Sequence, residues 1–125
     1  MAISFVARPF ADVTVAKPEG RIDHTSAEDL KLLLQNLLDH CVAGAGSVVL
    51  DFSKVDYISS VGLRVLMLAA KQVKTQQGRL VIAGLTPVVK EIFEISRFHM
   101  VFEIFASVPD ALARMSAAAA AAYKP

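Results

Sequence analysis

VVLDFSKVDYISSVGLRVLML, residues Val48 to Leu68, is the stretch whose reading decides the fold. Val48-Val49-Leu50 is an unbroken apolar run that stops at Asp51, as a strand does when both of its faces are covered. Ser53, Asp56 and the pair Ser59-Ser60 follow, a polar passage that reads as a short turn. Val61-Gly62-Leu63 then opens an apolar helix running from Ser60 to about Gln77, with Gly78 as its stop. Strand, turn and helix in this order put a hydroxyl at a helix N-terminus. That hydroxyl is the candidate functional group.

Downstream, Leu80-Val81-Ile82-Ala83 reads as a second buried strand. Thr86-Pro87 is an N-cap followed by proline at the first helical position. The helix it starts runs to about Ser96, with Val89, Ile92 and Phe93 inward. Val101 to Phe105 is a last short strand, and Ser107-Val108-Pro109-Asp110 begins a final helix carrying Leu112 and Met115. The alanines Ala117 to Ala122 favour helix but bury little, so residues 117–125 are expected to extend that helix and fray.

Upstream, Ile3 to Phe10 and Val13 to Ala16 read as two short strands joined by a tight turn at Pro9-Phe10-Ala11-Asp12. Pro18-Glu19-Gly20 breaks or bends the second, and Arg21 to His24 connects onward. Thr25 and Ser26 can each cap the first helix, and Thr25 with Glu28 has capping-box spacing. Leu30, Leu33, Leu34, Leu37, Leu38 and Cys41 form its core stripe, opposite Lys31, Gln35 and Asp39, and Gly44 and Gly46 end it. The order is a strand pair, then alternating helix and strand. It implies one α/β domain over residues 1–116, with a mixed, mostly parallel sheet of about four to five strands and about four helices packed against it.

Composition narrows the function. The chain has 125 residues, 54% of them hydrophobic, with a formal net charge of +1. No basic run exists to grip phosphates, so nucleic acid is not expected as a direct partner. The single cysteine excludes an internal disulfide and a multi-Cys metal site. No signal peptide is recognised, and no apolar stretch approaches the ~18 residues a bilayer span needs, so a soluble cytoplasmic protein without a membrane partner is expected. His24, His40 and His99 share no metal-ligand spacing with one another or with Cys41, which sits on the leucine stripe as a small core thiol. There is no G-x-S-x-G elbow and no P-loop, and nothing argues for an enzyme or a bound cofactor.

The serine pair supports two compatible readings. Ser59 or Ser60 caps the helix, and one of them is also a phosphorylation site. Free N–H groups and the positive dipole end accept a phosphate there without unfolding. Its charge of about −1.5 to −2 would abolish docking onto an acidic or apolar surface. On the same helix Leu63, Leu66, Met67, Ala70 and Val73 face inward, while Arg64, Lys71 and Gln72 mark the solvent side. Leu68 and Val65 fall on the flank between, either as a contact surface beside the serines or as scattered surface hydrophobes.

Two segments resemble the STAS domain, and specifically bacterial anti-sigma-factor antagonists. Gly20-Arg21-Ile22-Asp23-His24-Thr25-Ser26-Ala27 is similar to the family's G-x-L/I-D-x-x-[ST]-A approach to its first helix. Leu50 to Leu63 is similar to its strand, D/S-S-x-G-L turn and second helix, and Ala83 to Val89 fits the passage to the third. The resemblance spans nearly the whole chain. It implies a module that, dephosphorylated, binds an anti-sigma factor that is also an ATP-dependent serine kinase, and so frees a sigma factor. ATP belongs to that partner, and a PP2C-type phosphatase restores the binding form. The phosphoacceptor falls on Ser60, two residues before Gly62. Where the family often has aspartate before the acceptor and Ser or Thr after it, this chain has Ser59 and Val61, which leaves Ser59 as a rival acceptor. Asp23 matches the family's loop aspartate, either as a partner contact or as a turn residue. The implied partner surface comprises Asp23, His24, Ser59, Ser60, Val61, Gly62, Arg64, Val65 and Leu68. A scaffold or small-ligand-binding module on the same fold, without a phosphoswitch, is the alternative.

Overall fold

The computed structural model describes residues 4–39, 41–42 and 46–124. Ile3, His40 and Gly44, used in the reading above, lie outside the described residues, as does Pro125. The first half runs β1 (Ser4–Phe10), β2 (Val13–Ile22), α1 (Ala27–Leu38), β3 (Ser47–Asp51), β4 (Val55–Ile58) and α2 (Ser60–Thr75). The second runs β5 (Leu80–Ala83), α3 (Pro87–Ile95), a 3₁₀ turn (Phe98–Met100), β6 (Glu103–Phe105), α4 (Val108–Met115) and α5 (Ala117–Ala122).

Six strands form one sheet in the order β1-β2-β3-β5-β6, with β4 paired to the far end of β2. β1 is antiparallel to β2 and every other pairing is parallel. The mixed α/β architecture is as expected, with one strand more. The extra strand is β4, in the stretch read as a short turn. Its Val55 and Ile58 are buried while Asp56 is exposed, so two apolar residues at the ends of a four-residue strand pack inward beside the polar passage.

β2 does not end at Ala16. It continues through Pro18 to Ile22 while its parallel partner changes from β3, beside Val13 to Ala16, to β4, beside Gly20 to Ile22. In the β1–β2 hairpin the tight turn makes Phe10–Val13 a hydrogen-bonded pair, and alternation from there leaves Phe5–Pro18 a non-hydrogen-bonded pair. The Pro18 nitrogen therefore faces the side where β3 has ended and β4 has not begun, and no ladder bond is lost. Gly20, at φ +104, supplies the shift in register between Gly20 and Arg21.

Each face of the sheet has its own apolar layer. On one, Ala16, Leu50 and Ile82 pack against Leu30, Leu34 and Leu38 of α1, Leu63, Leu66 and Val73 of α2, and Val89 and Phe93 of α3. On the other, Val13, Val15, Val49 and Val81 pack beneath Ala111 and Leu112 of α4 and Ala119 of α5. The last helix is not continued by the alanines. Ser116 is extended (φ −161, ψ 116), closes α4 and caps α5 by accepting the Ala119 N–H. Its hydroxyl also donates to Asp12 Oδ1 at 2.5 Å. Ala119 is buried, and Tyr123 stacks edge-on against Phe10 with ring centroids 5.1 Å apart. α1 ends at Leu38, and only Leu30, Leu34, Leu38 and Cys41 of the expected stripe are fully buried, Leu33 and Leu37 being half-buried.

Candidate functional site

The C-terminal ends of β2 and β4 lie side by side, with Ile22 opposite Ile58. The Ser59 N–H then donates to the Ile22 carbonyl at 2.8 Å. That bond holds the start of α2 against the loop that follows β2, so residues far apart in sequence share one corner. Gly62 makes the approach possible. A Cβ there would lie 2.6 Å from Ile22 Cγ2 and 2.8 Å from Ile58 Cγ1, inside van der Waals contact.

The serine pair divides its roles. Ser59 is the N-cap, with extended backbone, and its half-buried hydroxyl accepts the Gly62 N–H at 3.2 Å. Ser60 is the first helical residue and is exposed. The first N–H groups of a helix have no partner within it, and the positive dipole end lies beside them. The Ser60 hydroxyl stands there in solvent.

Around it, Val61 is 45% exposed and Leu68 48% exposed, while Arg64 and His24 are exposed. Val65 corrects the expectation. It is only 8% exposed, packed in the groove between α1 and α2 beside Leu34 and Leu38, so it supports the surface from beneath. Gly62 is buried as well. Leu68 closes the outer edge of that groove.

The Asp23 loop is ordered by its own side chains. Asp23 Oδ1 accepts from the Thr25 hydroxyl at 2.6 Å, the Thr25 N–H at 3.0 Å and the Ser26 N–H at 3.3 Å. These bonds, the Thr25 hydroxyl first, hold the Asp23 carboxyl down at about 2. Arg21 Nε is 3.4 Å from Asp23 Oδ2, but the hydrogen bonds from Thr25 dominate. The Thr25–Glu28 capping box does not form, because α1 starts at Ala27 and Thr25 lies one residue ahead of the N-cap position, where its hydroxyl donates to Asp23. Ser26 is the N-cap by position, yet its hydroxyl donates to the Arg21 carbonyl at 2.8 Å and accepts the Asp23 N–H at 3.0 Å. Thr86 behaves alike: it precedes α3, but its hydroxyl donates to the Val55 carbonyl of β4 at 2.9 Å.

One contributor was not foreseen. The Arg21 guanidinium sits 4.0 Å from the centroid of the Tyr57 ring, its neighbour in the β2–β4 register. Only the pairing with β4 brings the two together, and local sequence carries no sign of it. Among the described residues no group of three or more His, Cys, Asp or Glu side chains is placed to hold a metal ion, and no helix is long and apolar enough to cross a membrane. Cys41 is buried, its thiol pushed up by desolvation, with Sγ 3.4 Å from the Arg79 carbonyl it donates to.

The STAS domain family model matches residues 5–111 of the chain. A Bordetella bronchiseptica protein described as a candidate anti-sigma factor antagonist, BtrV, is 42% identical over 110 residues, covering 88% of this chain and 85% of that protein. An anti-sigma factor antagonist from Mycobacterium paratuberculosis matches in structure with a TM-score of 0.79 at 20% identity, over 90% of this chain and 92% of its own. The anti-sigma factor antagonist SpoIIAA in its unphosphorylated form matches with a TM-score of 0.71 at 16% identity, over 89% and 95%. The Bacillus SpoIIAA structure in its phosphorylated form matches at 0.66 and 16% identity, over 90% and 100%. At these identities the structural matches show a shared fold.

Proposed function

The chain belongs to the STAS domain family, and from that membership we propose that it acts as an anti-sigma-factor antagonist controlled by phosphorylation of Ser60. In this reading the dephosphorylated chain docks a kinase-type anti-sigma factor in the cytoplasm and so frees a sigma factor. ATP is the partner's, and a PP2C-type phosphatase resets the switch. The description of the 42% identical relative supports the partner class.

One observation carries the proposal: the exposed Ser60 hydroxyl heads α2 while the Ser59 hydroxyl is occupied as its cap. This favours Ser60 over Ser59 as acceptor. A kinase must reach the hydroxyl, and phosphorylating Ser59 would disrupt the helix start. Val61 and Leu68 supply exposed apolar contact, Arg64 and His24 supply polar contact, and Asp23 holds the neighbouring loop in shape. A phosphate at Ser60 would place about −1.5 to −2 charges in the middle of that surface. A buried, unpaired charge opposes binding strongly, so the partner would dissociate.

Calorimetric titration of a kinase-type anti-sigma factor from the same genome tests the proposal. Ser60→Ala is expected to bind whether or not ATP is present, and Ser60→Asp to bind about tenfold more weakly or worse. Equal binding by the two variants would contradict it. A small-ligand role without a phosphoswitch is the second reading, and a cavity on the opposite sheet face is the observation that favours it.

A further inference from the structure

The sheet face under α4 and α5 is incompletely covered. Beyond the end of α5 a cavity of about 320 Å³ opens between β1, β2, the end of β3 and the tail. Val15, Phe10 and Val6 form an apolar floor, and Tyr123 and Asp51 stand at its inner side. Arg8 and Lys17 line it from the two strands, and Lys124 lines it from the tail. The volume has room for about ten water-sized groups and lies at the lower end of ordinary ligand pockets.

The placement of charge is informative. Arg8 pairs with Val15 and Val6 with Lys17, so the two cations are diagonal neighbours on one face of adjacent strands. Diagonal neighbours lie within reach of one another's long side chains, so the two cations can address one ligand group. The ion pairs formed among the described residues are Arg21–Asp23 and Arg79–Glu103, and neither Arg8, Lys17 nor Lys124 takes part in one among those residues. The wall does carry two carboxylates, Glu19 and Asp51. Glu19 is exposed, and Asp51 has its Oδ1 engaged by the Ser53 N–H at 3.0 Å. Burial, then the Asp51 carboxylate, push the Tyr123 phenol up, so it remains a hydroxyl donor at neutral pH.

We propose that this cavity binds a small amphipathic anion, a phosphate or carboxylate on a compact aromatic or aliphatic body, with Arg8, Lys17 and Lys124 around the anionic group and the body against Val15, Phe10 and Tyr123. The guanidinium and ammonium groups give charge-assisted hydrogen bonds to an anion set between them. The site lies on the other face of the sheet from α2, so it is independent of the Ser60 reading.

The test is titration of the full chain with phenyl phosphate and with benzoate, followed by amide and aromatic NMR and by thermal melting. Saturable shifts centred on Val15, Lys17 and Tyr123, with a rise in melting temperature, are expected for at least one of them. The double variant Arg8→Gln, Lys17→Gln, verified as folded by its amide spectrum, should bind about tenfold more weakly. No saturable shift at millimolar probe, shifts centred elsewhere, or unchanged binding by the double variant would overturn the proposal. So would tighter binding of phenethylamine, since that would assign the cavity to the carboxylates.

Discussion

The Ser59 N–H reaches the Ile22 carbonyl at 2.8 Å, so a residue of the α2 cap and the last residue of β2 are joined across 37 positions of sequence. This single backbone bond sets the Asp23-His24 loop beside Ser60. The surface is assembled from two segments, both anchored to paired strands.

Gly62 is where that assembly is least tolerant. Alanine is favoured over glycine within helices by about 1 kcal/mol, yet its Cβ would fall 2.6 Å from Ile22 Cγ2. Overpacking costs about 1–3 kcal/mol and should win. Gly62→Ala is expected to lower the urea midpoint and to shift the Ile22 and Asp23 amide resonances. A midpoint equal to or above that of the parent chain would show that the contact is not tight.

Ser59 and Ser60 should separate in stability. Ser59→Ala removes the hydroxyl that accepts the Gly62 N–H and should cost about 1 kcal/mol. Ser60→Ala removes an exposed hydroxyl and should stay within about 0.5 kcal/mol of the parent. Denaturant unfolding of the two variants measures this, and a larger loss from Ser60→Ala would reverse the assignment of cap and acceptor.

Asp23 predicts an acid dependence. Its folded-state value is lowered to about 2 from an ordinary 3.8. A depressed carboxyl contributes stability that is fully present above its unfolded value and is lost as pH falls through the folded one. The stability difference between the parent and Asp23→Asn should therefore be constant above pH about 5 and shrink towards pH about 2. Side-chain carboxyl NMR should place the midpoint near 2, whereas titration near 4 would mean that the Thr25 hydrogen bonds do not persist in solution.

Arg97 takes a left-handed conformation at φ 61, ψ 24, just ahead of the 3₁₀ turn. A side chain with a Cβ pays for this geometry and glycine does not, so Arg97→Gly should raise stability by about 0.5–1 kcal/mol. Thermal melting reads it, and a lower melting temperature would show that the exposed side chain contributes more than its backbone costs.

Much of this architecture was legible because the central elements state their environment locally. Val48-Val49-Leu50 is apolar on both faces and proves buried on both, and Ser59 with Gly62 marks a helix start at the right place. What was missed depends on neighbours distant in sequence. β4 is a strand only because β2 runs far enough to pair with it, and β2 runs that far only because Pro18 falls in a gap in the pairing. Val65 sits at the flank of α2, and nothing in α2 reveals that α1 covers that flank. The Thr25–Glu28 spacing fits a capping box, but the Asp23 turn sets the helix start one residue later, with Ser26 at the N-cap position. Six alanines look featureless, yet the Ser116 cap and the Tyr123–Phe10 contact dock them on the sheet.

The most direct test of the central claim is phosphopeptide mass spectrometry on the chain purified from its own cells, before and after phosphatase treatment. A phosphate on Ser60 that phosphatase removes is the predicted result. Phosphate confined to Ser59, or none across growth conditions in which its kinase partner is active, would contradict the claim that Ser60 is the switch.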